Sequence, residues 1–438
     1  MKKITAFLMS VLLIAGCFSG CNEQIDHSNS GFSSVPTQGE SSQEQEDSSS
    51  VVHPPVQPED VVQIRTEEEL FAIQEDLAGS YRLMSDITLS KPWQTLGTSD
   101  APFTGVFDGN GYTIRDMEVQ SDVMAVDGDS IEYMVGMFGV VRGDVQDLEV
   151  DGLHIVVDET TMANTSYATL KAANSKVANL DIHAGLVASN KGNLEDITAK
   201  VNINVHPKIS IARMRVGGIA GKSNDKIEDC TVTGIISVKS MDGYIRAGGV
   251  VGYVSSNGKV KRSGATVDLI TEITSAAKTN VGGLIGNIEC GIVENCYAKG
   301  TIFAVNTADK MTAAGGLIGH IDNADANPKY DDMSVTVTGS YSTVSVTAKG
   351  AKAYAAGFIG QIDFGAEVVV MNNACSGSAT GDKGSFGFMG RIIRLIGVEV
   401  TADDLSADGK FGTLLTVFGN QSVVQDPFAT KVDAIPFA

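Results

Sequence analysis

The chain has 438 residues, 43% of them hydrophobic, with 48 glycines and a single tryptophan. That is enough apolar content for a large core, but one built of many turns and thin layers. Its 53 acidic against 32 basic residues leave a formal charge of −21, a field that repels phosphate backbones, argues against nucleic acid as a partner and keeps an extracellular protein soluble.

Residues 1–16 have the form of an export signal. Lys2 and Lys3 precede an apolar stretch, Ile4 to Ile14, that is too short to span a bilayer as a helix. At its end, Leu13-Ile14-Ala15-Gly16-Cys17 resembles the lipobox of bacterial lipoproteins. That resemblance implies lipidation at Cys17, with Cys21 as a weaker candidate, and a membrane partner through the lipid. A plain secretory signal is the alternative. Residues 17–60 are rich in Ser, Glu, Gln and Pro, a composition that cannot offset the entropy of ordering and reads as a tether.

Residues 61–130 read as an N-terminal cap and first β segment. Thr66 is placed to cap a short helix, with Glu69 as its capping-box partner and Leu70, Ile73 and Leu77 on one face. Tyr81 to Leu89 alternates like a strand, and Phe103 to Ile114 reads as strand, tight turn and strand around Asp108 to Gly111.

From 131 to 400 the chain returns to an apolar pair bracketed by glycines, as in Gly136-Met137-Phe138-Gly139, Gly283-Leu284-Ile285-Gly286 and Gly316-Leu317-Ile318-Gly319. The first glycines of the eight blocks step by 49, 33, 31, 34, 33, 41 and 30 residues, the periodicity of a stacked solenoid. About ten residues after most blocks comes a second apolar run. Its first column reads Val145, Leu194, Ile227, Val260, Val293, Val337, Met371; a second, three residues on, reads Leu148, Ile197, Cys230, Ser263, Cys296, Ser340, Ala374. Inward positions three apart require a bend between them, and the intervening Asp147, Asp196, Asp229, Arg262, Asn295, Gly339, Asn373 supply it in most repeats. Each unit then holds three short strands: the Gly-apolar-apolar-Gly strand, the cornered strand and a third such as Gly300 to Val305. The expected fold is an all-β right-handed parallel β-helix with a short N-terminal capping helix. Residues 401–438 form the closing cap, with a helical turn at Thr401 to Leu405.

The Gly-Leu-any-Gly signature, followed by Val293-Glu294-Asn295-Cys296-Tyr297, resembles the GLUG-motif repeats of bacterial surface proteins. Residues 64–114 resemble the region that often precedes such repeats. Ala188 in place of a glycine and an insertion at 153–184 depart from the pattern. The resemblance implies a cell-envelope protein on the extracytoplasmic face with an adhesion-type role. In some immunoglobulin-cleaving surface enzymes the repeats accompany a peptidase domain, but here no His-Glu-x-x-His is present.

No catalytic motif, cofactor site or metal site is expected from the residues. Cys230, Cys290, Cys296 and Cys375 lack metal-ligand spacing and read as buried thiols, a Cys290–Cys296 bridge being the alternative. Among the six histidines, His320 is expected at a strand end on the surface. Asp127 with Asp129, and Asp322 with Asp325, Asp331 and Asp332, form acidic loops that read either as calcium ligands or as solvated surface. Tyr297 and Tyr341 should point outward in adjacent rungs, either as a stacking stripe for glycans or as cover for their neighbours. The function expected is non-enzymatic binding of an extracellular glycan or protein. A polysaccharide lyase or hydrolase and a structural spacer are the alternatives.

Overall fold

A computed structural model describes residues 61–394, apart from 175, 257, 275–276, 324–333 and 365–367, and four short strands at 398–400, 409–411, 415–418 and 421–422. The export signal, Cys17, Cys21, the tether and the turn expected at Thr401 to Leu405 lie outside the described residues.

The rung from Tyr244 to Ile273 is representative. A strand Tyr244–Gly248 turns at Gly249 and Val250 into Val251–Val254; then come Gly258–Lys261, a corner at Arg262 and the long strand Gly264–Ile273. The next rung repeats this path in parallel register, with Ile245 opposite Thr279, Val251 opposite Ile285, Val260 opposite Val293 and Ala265 opposite Ala298. Stacking of such rungs gives two nine-stranded sheets and a 23-stranded sheet that continues around the Arg262 corner. Neighbouring rungs are about 4.8 Å apart. The chain is a parallel β-helix.

The Gly-apolar-apolar-Gly blocks are corners between two strands, where a single strand was expected. The strand entering each corner, such as Arg213–Gly217 or Thr279–Gly282, escapes a hydrophobicity reading because it buries polar residues, Arg215 and Asn280 among them. The closing glycine has a steric reason. A Cβ on Gly286 would stand 2.6 Å from the Ala247 amide nitrogen of the facing sheet, so only glycine lets the two backbones approach. The apolar residue between, Leu284, Leu317 or Phe358, is fully buried in the core.

The second corner falls on the expected column: Asp147, Asp196, Asp229, Arg262, Asn295 and Gly339 have φ of 49°, 52°, 54°, 46°, 56° and 62°. In the last rung the sequence alignment slips by one residue. Asn372 carries the positive φ of 55°, and Val370 rather than Met371 lies opposite Val337. Asn373, not Ala374, takes the inward place. A buried asparagine is tolerated there because its Oδ1 accepts from the Ser340 amide at 2.9 Å and its Nδ2 donates to the Val337 carbonyl at 3.0 Å.

The same column explains the alternation of cysteine and serine. The amides of Cys230 and Cys296 donate to Ser263 Oγ at 3.1 Å and Ser340 Oγ at 3.0 Å in the following rungs. All four described cysteines are buried.

At the N-terminal end, helix Glu67–Phe71 starts at Thr66 with both bonds of the capping box, and a 3-10 turn Ala72–Glu75 follows. Leu70, Ile73 and Trp93 are completely buried, and the indole donates to the Met137 carbonyl at 2.9 Å, tying the cap to the first repeat. Val106–Asp108 and Thr113–Gln120 do not pair as a hairpin; both pair in parallel with successive parts of the strand Asp144–Val157. The insertion carries two short helices, Glu159–Ala163 and Tyr167–Ala173, that the sequence did not announce. At the other end, Gly409–Phe411 runs antiparallel to Leu415–Phe418, which continues the stack from Val368–Met371.

Candidate functional site

The long strands after the second corner present one flat outward face. In Tyr297–Asn306 the residues Ala298, Ile302 and Ala304 are buried, while Lys299, Thr301 and Phe303 are exposed, the alternation a pleated strand imposes. Four of the seven exposed large hydrophobics among the described residues, Ile235, Ile270, Phe303 and Tyr341, lie on this face.

Tyr297 and Tyr341 are register partners in adjacent rungs, and their rings stack at 5.6 Å with 16° between planes. Tyr297 leans over Gly264 of the preceding rung, its ring filling the place a Cβ would take, and Ala374 follows Tyr341. The pair therefore both covers a neighbouring backbone and presents an aromatic surface flanked by small residues. Lys299 Nζ lies 5.1 Å and 5.9 Å from the two ring centroids. Further along, Phe303 is opposite Ile270 and has Lys349 Nζ 5.4 Å from its centroid. Six residues separate Tyr297 from Phe303, about 20 Å along the strand. Other lysines of this face, Lys200 and Lys239, pair with Asp151 and Glu272, each at 3.0 Å.

A second polar region lies in the seam between the two nine-stranded sheets. His320, expected on the surface, is 1% exposed in this seam. Its Nε2 is 3.1 Å from Asp363 Oδ2 and its Nδ1 is 3.8 Å from Asp322 Oδ2. Burial pushes the Asp363 carboxyl up, but the hydrogen bond and charge of His320, with the Gln361 amide, outweigh it and hold the pKa below the ordinary value. A second group, Glu132, Asp181 and His183, lies four rungs earlier in the seam. There Arg215 Nη1 stands 2.5 Å from His183 Nε2 and 3.3 Å from Asp181 Oδ2. Burial, then the charge of Arg215, keep His183 neutral. Arg215 and Arg246 flank the Tyr253 ring at 5.2 Å and 4.3 Å.

The acidic loops divide. Asp129 Oδ2 accepts from Asn179 Nδ2 at 2.9 Å, tying one rung to the next. Asp322 joins His320, while Asp325, Asp331 and Asp332 lie outside the described residues. A cleft near the N-terminal end is lined by Lys91, Asp116, Glu118 and His154 with Leu89, Ser90, Pro92 and Gly152. Sequence reasoning missed both this cleft and the pairing of His320 with Asp363, because their members come from separate rungs.

The family model described as the GLUG motif matches residues 278–302. Over 156 residues, 33% of this chain and 2% of the relative, the chain is 28% identical to halomucin of Haloquadratum walsbyi. Over 241 residues, 45% of this chain and 12% of the relative, it is 25% identical to the zinc metalloprotease ZmpC of Streptococcus pneumoniae. The chain thus spans a small part of both curated relatives. A crystal structure of a "putative immunoglobulin A1 protease" from Bacteroides ovatus is similar at a TM-score of 0.42 and 16% identity, covering 84% of this chain and 85% of that one.

Proposed function

We propose that this protein is a lipid-anchored component of the bacterial cell envelope whose β-helix binds an extracellular glycan or protein without altering it, an adhesin-like role. The GLUG motif and the similarity to halomucin support a surface-protein-like repeat. The anchor is assigned to Cys17 by the lipobox resemblance.

The observation that carries the binding assignment is the outward aromatic face. Sugar rings place their C–H faces against aromatic rings, and an ammonium over the same ring suits carboxylate or sulfate substituents. The two aromatic groups each carry such a lysine, Lys299 and Lys349, in a chain of net charge −21. Long, regularly spaced faces of this kind suit extended polymers. The test is retention of the full chain on immobilised mucin and acidic polysaccharides, with Tyr297→Ala/Tyr341→Ala expected to lower affinity about tenfold, the equivalent of about 1.4 kcal/mol. Unchanged affinity removes this face as the binding surface.

A second reading, a polysaccharide-acting lyase or hydrolase, is favoured by one feature, the cleft holding Asp116, Glu118, His154 and Lys91. Paired carboxylates are the usual equipment for glycoside cleavage. Release of reducing ends that disappears in Glu118→Gln would establish it.

A further inference from the structure

We propose that His320, Asp322, Gln361 and Asp363 form a binding site for a divalent transition metal of the zinc type, closed across two neighbouring rungs. The four residues are a two-by-two block. His320 is opposite Gln361 and Asp322 is opposite Asp363 in parallel register, and within each strand the two lie two apart, hence on one face.

Distances match the chemistry. Donor atoms of a tetrahedral zinc site, each about 2.0–2.2 Å from the ion, stand about 3.4 Å from one another. His320 Nε2 is 3.1 Å from Asp363 Oδ2 and 3.4 Å from the Gln361 side-chain nitrogen. Asp322 completes a set in which one donor atom of each of His320, Asp322 and Asp363 lies within 4.8 Å of the others. One neutral imidazole with carboxylate oxygens is a zinc-type donor set.

The independent observation is Gln361. It is 1% exposed, and its Oε1 is buried without a hydrogen-bond partner. Its nitrogen is 2.7 Å from Asp363 Oδ1. Asn280 Nδ2 lies 2.9 Å from His320 Nδ1; donating there, it leaves the Nε2 proton to Asp363. The Gln361 NH2 then faces an N–H that cannot accept from it, while its oxygen is orphaned, an arrangement that costs free energy. A cation between the four groups removes the conflict. The Gln361 amide turns to present Oε1 to the ion, and the ring proton moves from Nε2 to Nδ1 so that Nε2 binds as neutral imidazole. The Asn280 amide turns so that its Oδ1, itself buried without a partner, accepts from Nδ1–H, and the two carboxylates neutralise the charge. Asn280 keeps the ring orientation fixed.

The contrasting group, Glu132, Asp181 and His183, has the same residue types but is already filled by a guanidinium: Arg215 touches both His183 and Asp181, and Arg213 is 3.2 Å from Asp181.

The test is titration of the full chain with Co2+, read by visible absorption, and competition by Zn2+, with thermal unfolding in parallel. One metal per chain is expected, with a visible Co2+ band and a melting temperature raised by several degrees because the ion binds only the folded state. Asp363→Asn and, at the more exposed position, Asp322→Asn should each weaken binding at least tenfold, and Glu132→Gln should leave it unchanged. Asp322→Asn keeps the test open if Asp363→Asn fails to fold. Absence of saturable binding, or binding as tight in Asp322→Asn and in Asp363→Asn where it folds, overturns the proposal.

Discussion

At the scale of single residues, the helix is set by where the backbone must pass closely and where a polar atom must be met. A Cβ on Gly319 would stand 2.5 Å from the Val281 amide nitrogen of the facing sheet. Gly319→Ala should therefore force the sheets apart at a cost of about 1–3 kcal/mol, seen as a lowered melting temperature. The thiols give a pH prediction. Burial pushes Cys230 and Cys296 up to about 12 from an ordinary value near 9. Their contribution to stability is therefore complete below pH 9 and lost as pH rises from 9 toward 12, the range in which only the unfolded chain ionises. The native protein should resist thiol reagents at pH 8 and react in denaturant; rapid native labelling of either cysteine would contradict this. The corner column was legible in the sequence because left-handed backbone selects Asn, Asp and Gly. Arg262, the exception, occupies it because its guanidinium bonds Asp229 at 2.6 Å and 2.8 Å in the rung before, relieving a run of stacked carboxylates. Burial, then the charge of Asp229, already raise the Asp196 pKa.

At the scale of elements, hydrophobic pattern identified what packs on the core and missed what packs on polar partners. The columns from Val145 to Val337 followed from aligning the repeats, and the outward Tyr297 and Tyr341 from alternation beyond the corner. The strands entering the glycine corners did not, because residues such as Arg215, Arg246 and Asn280, like His320 on a strand that leaves such a corner, are buried in the seam and carry no apolar signature. His320 was placed on the surface for that reason, and the last rung was misaligned because Asn373 stands where an apolar residue was sought. The cap shows the opposite case: Thr66, Glu69, Leu70 and Ile73 carried a complete local signal. Trp93→Ala should cost about 3–5 kcal/mol, since it empties a fully buried position and removes one of the two hydrogen bonds that the Met137 carbonyl accepts. Proteolysis should then open the N-terminal rungs first. Resistance equal to that of the parent chain would show that the cap is not held by this residue.

At the scale of the whole molecule, the β-helix presents an outward face that is aromatic and locally cationic, and the proposed lipid anchor is tested separately from it. Cys17→Ser should move the protein from the membrane fraction to the soluble fraction; continued lipid labelling would transfer the anchor to Cys21. Periodicity made the fold readable because each rung repeats the same solution to the same packing problem. Function was far less readable, because the face that would bind and the cleft that would cleave are each assembled from residues about 30–40 positions apart, on different rungs. The most direct test of the central claim is binding of the full chain to an array of host and bacterial glycans and mucins, with mass analysis of the arrayed glycans afterwards. Selective binding with every glycan intact is the result predicted, and cleavage of a bound glycan, or no binding to any, would contradict it.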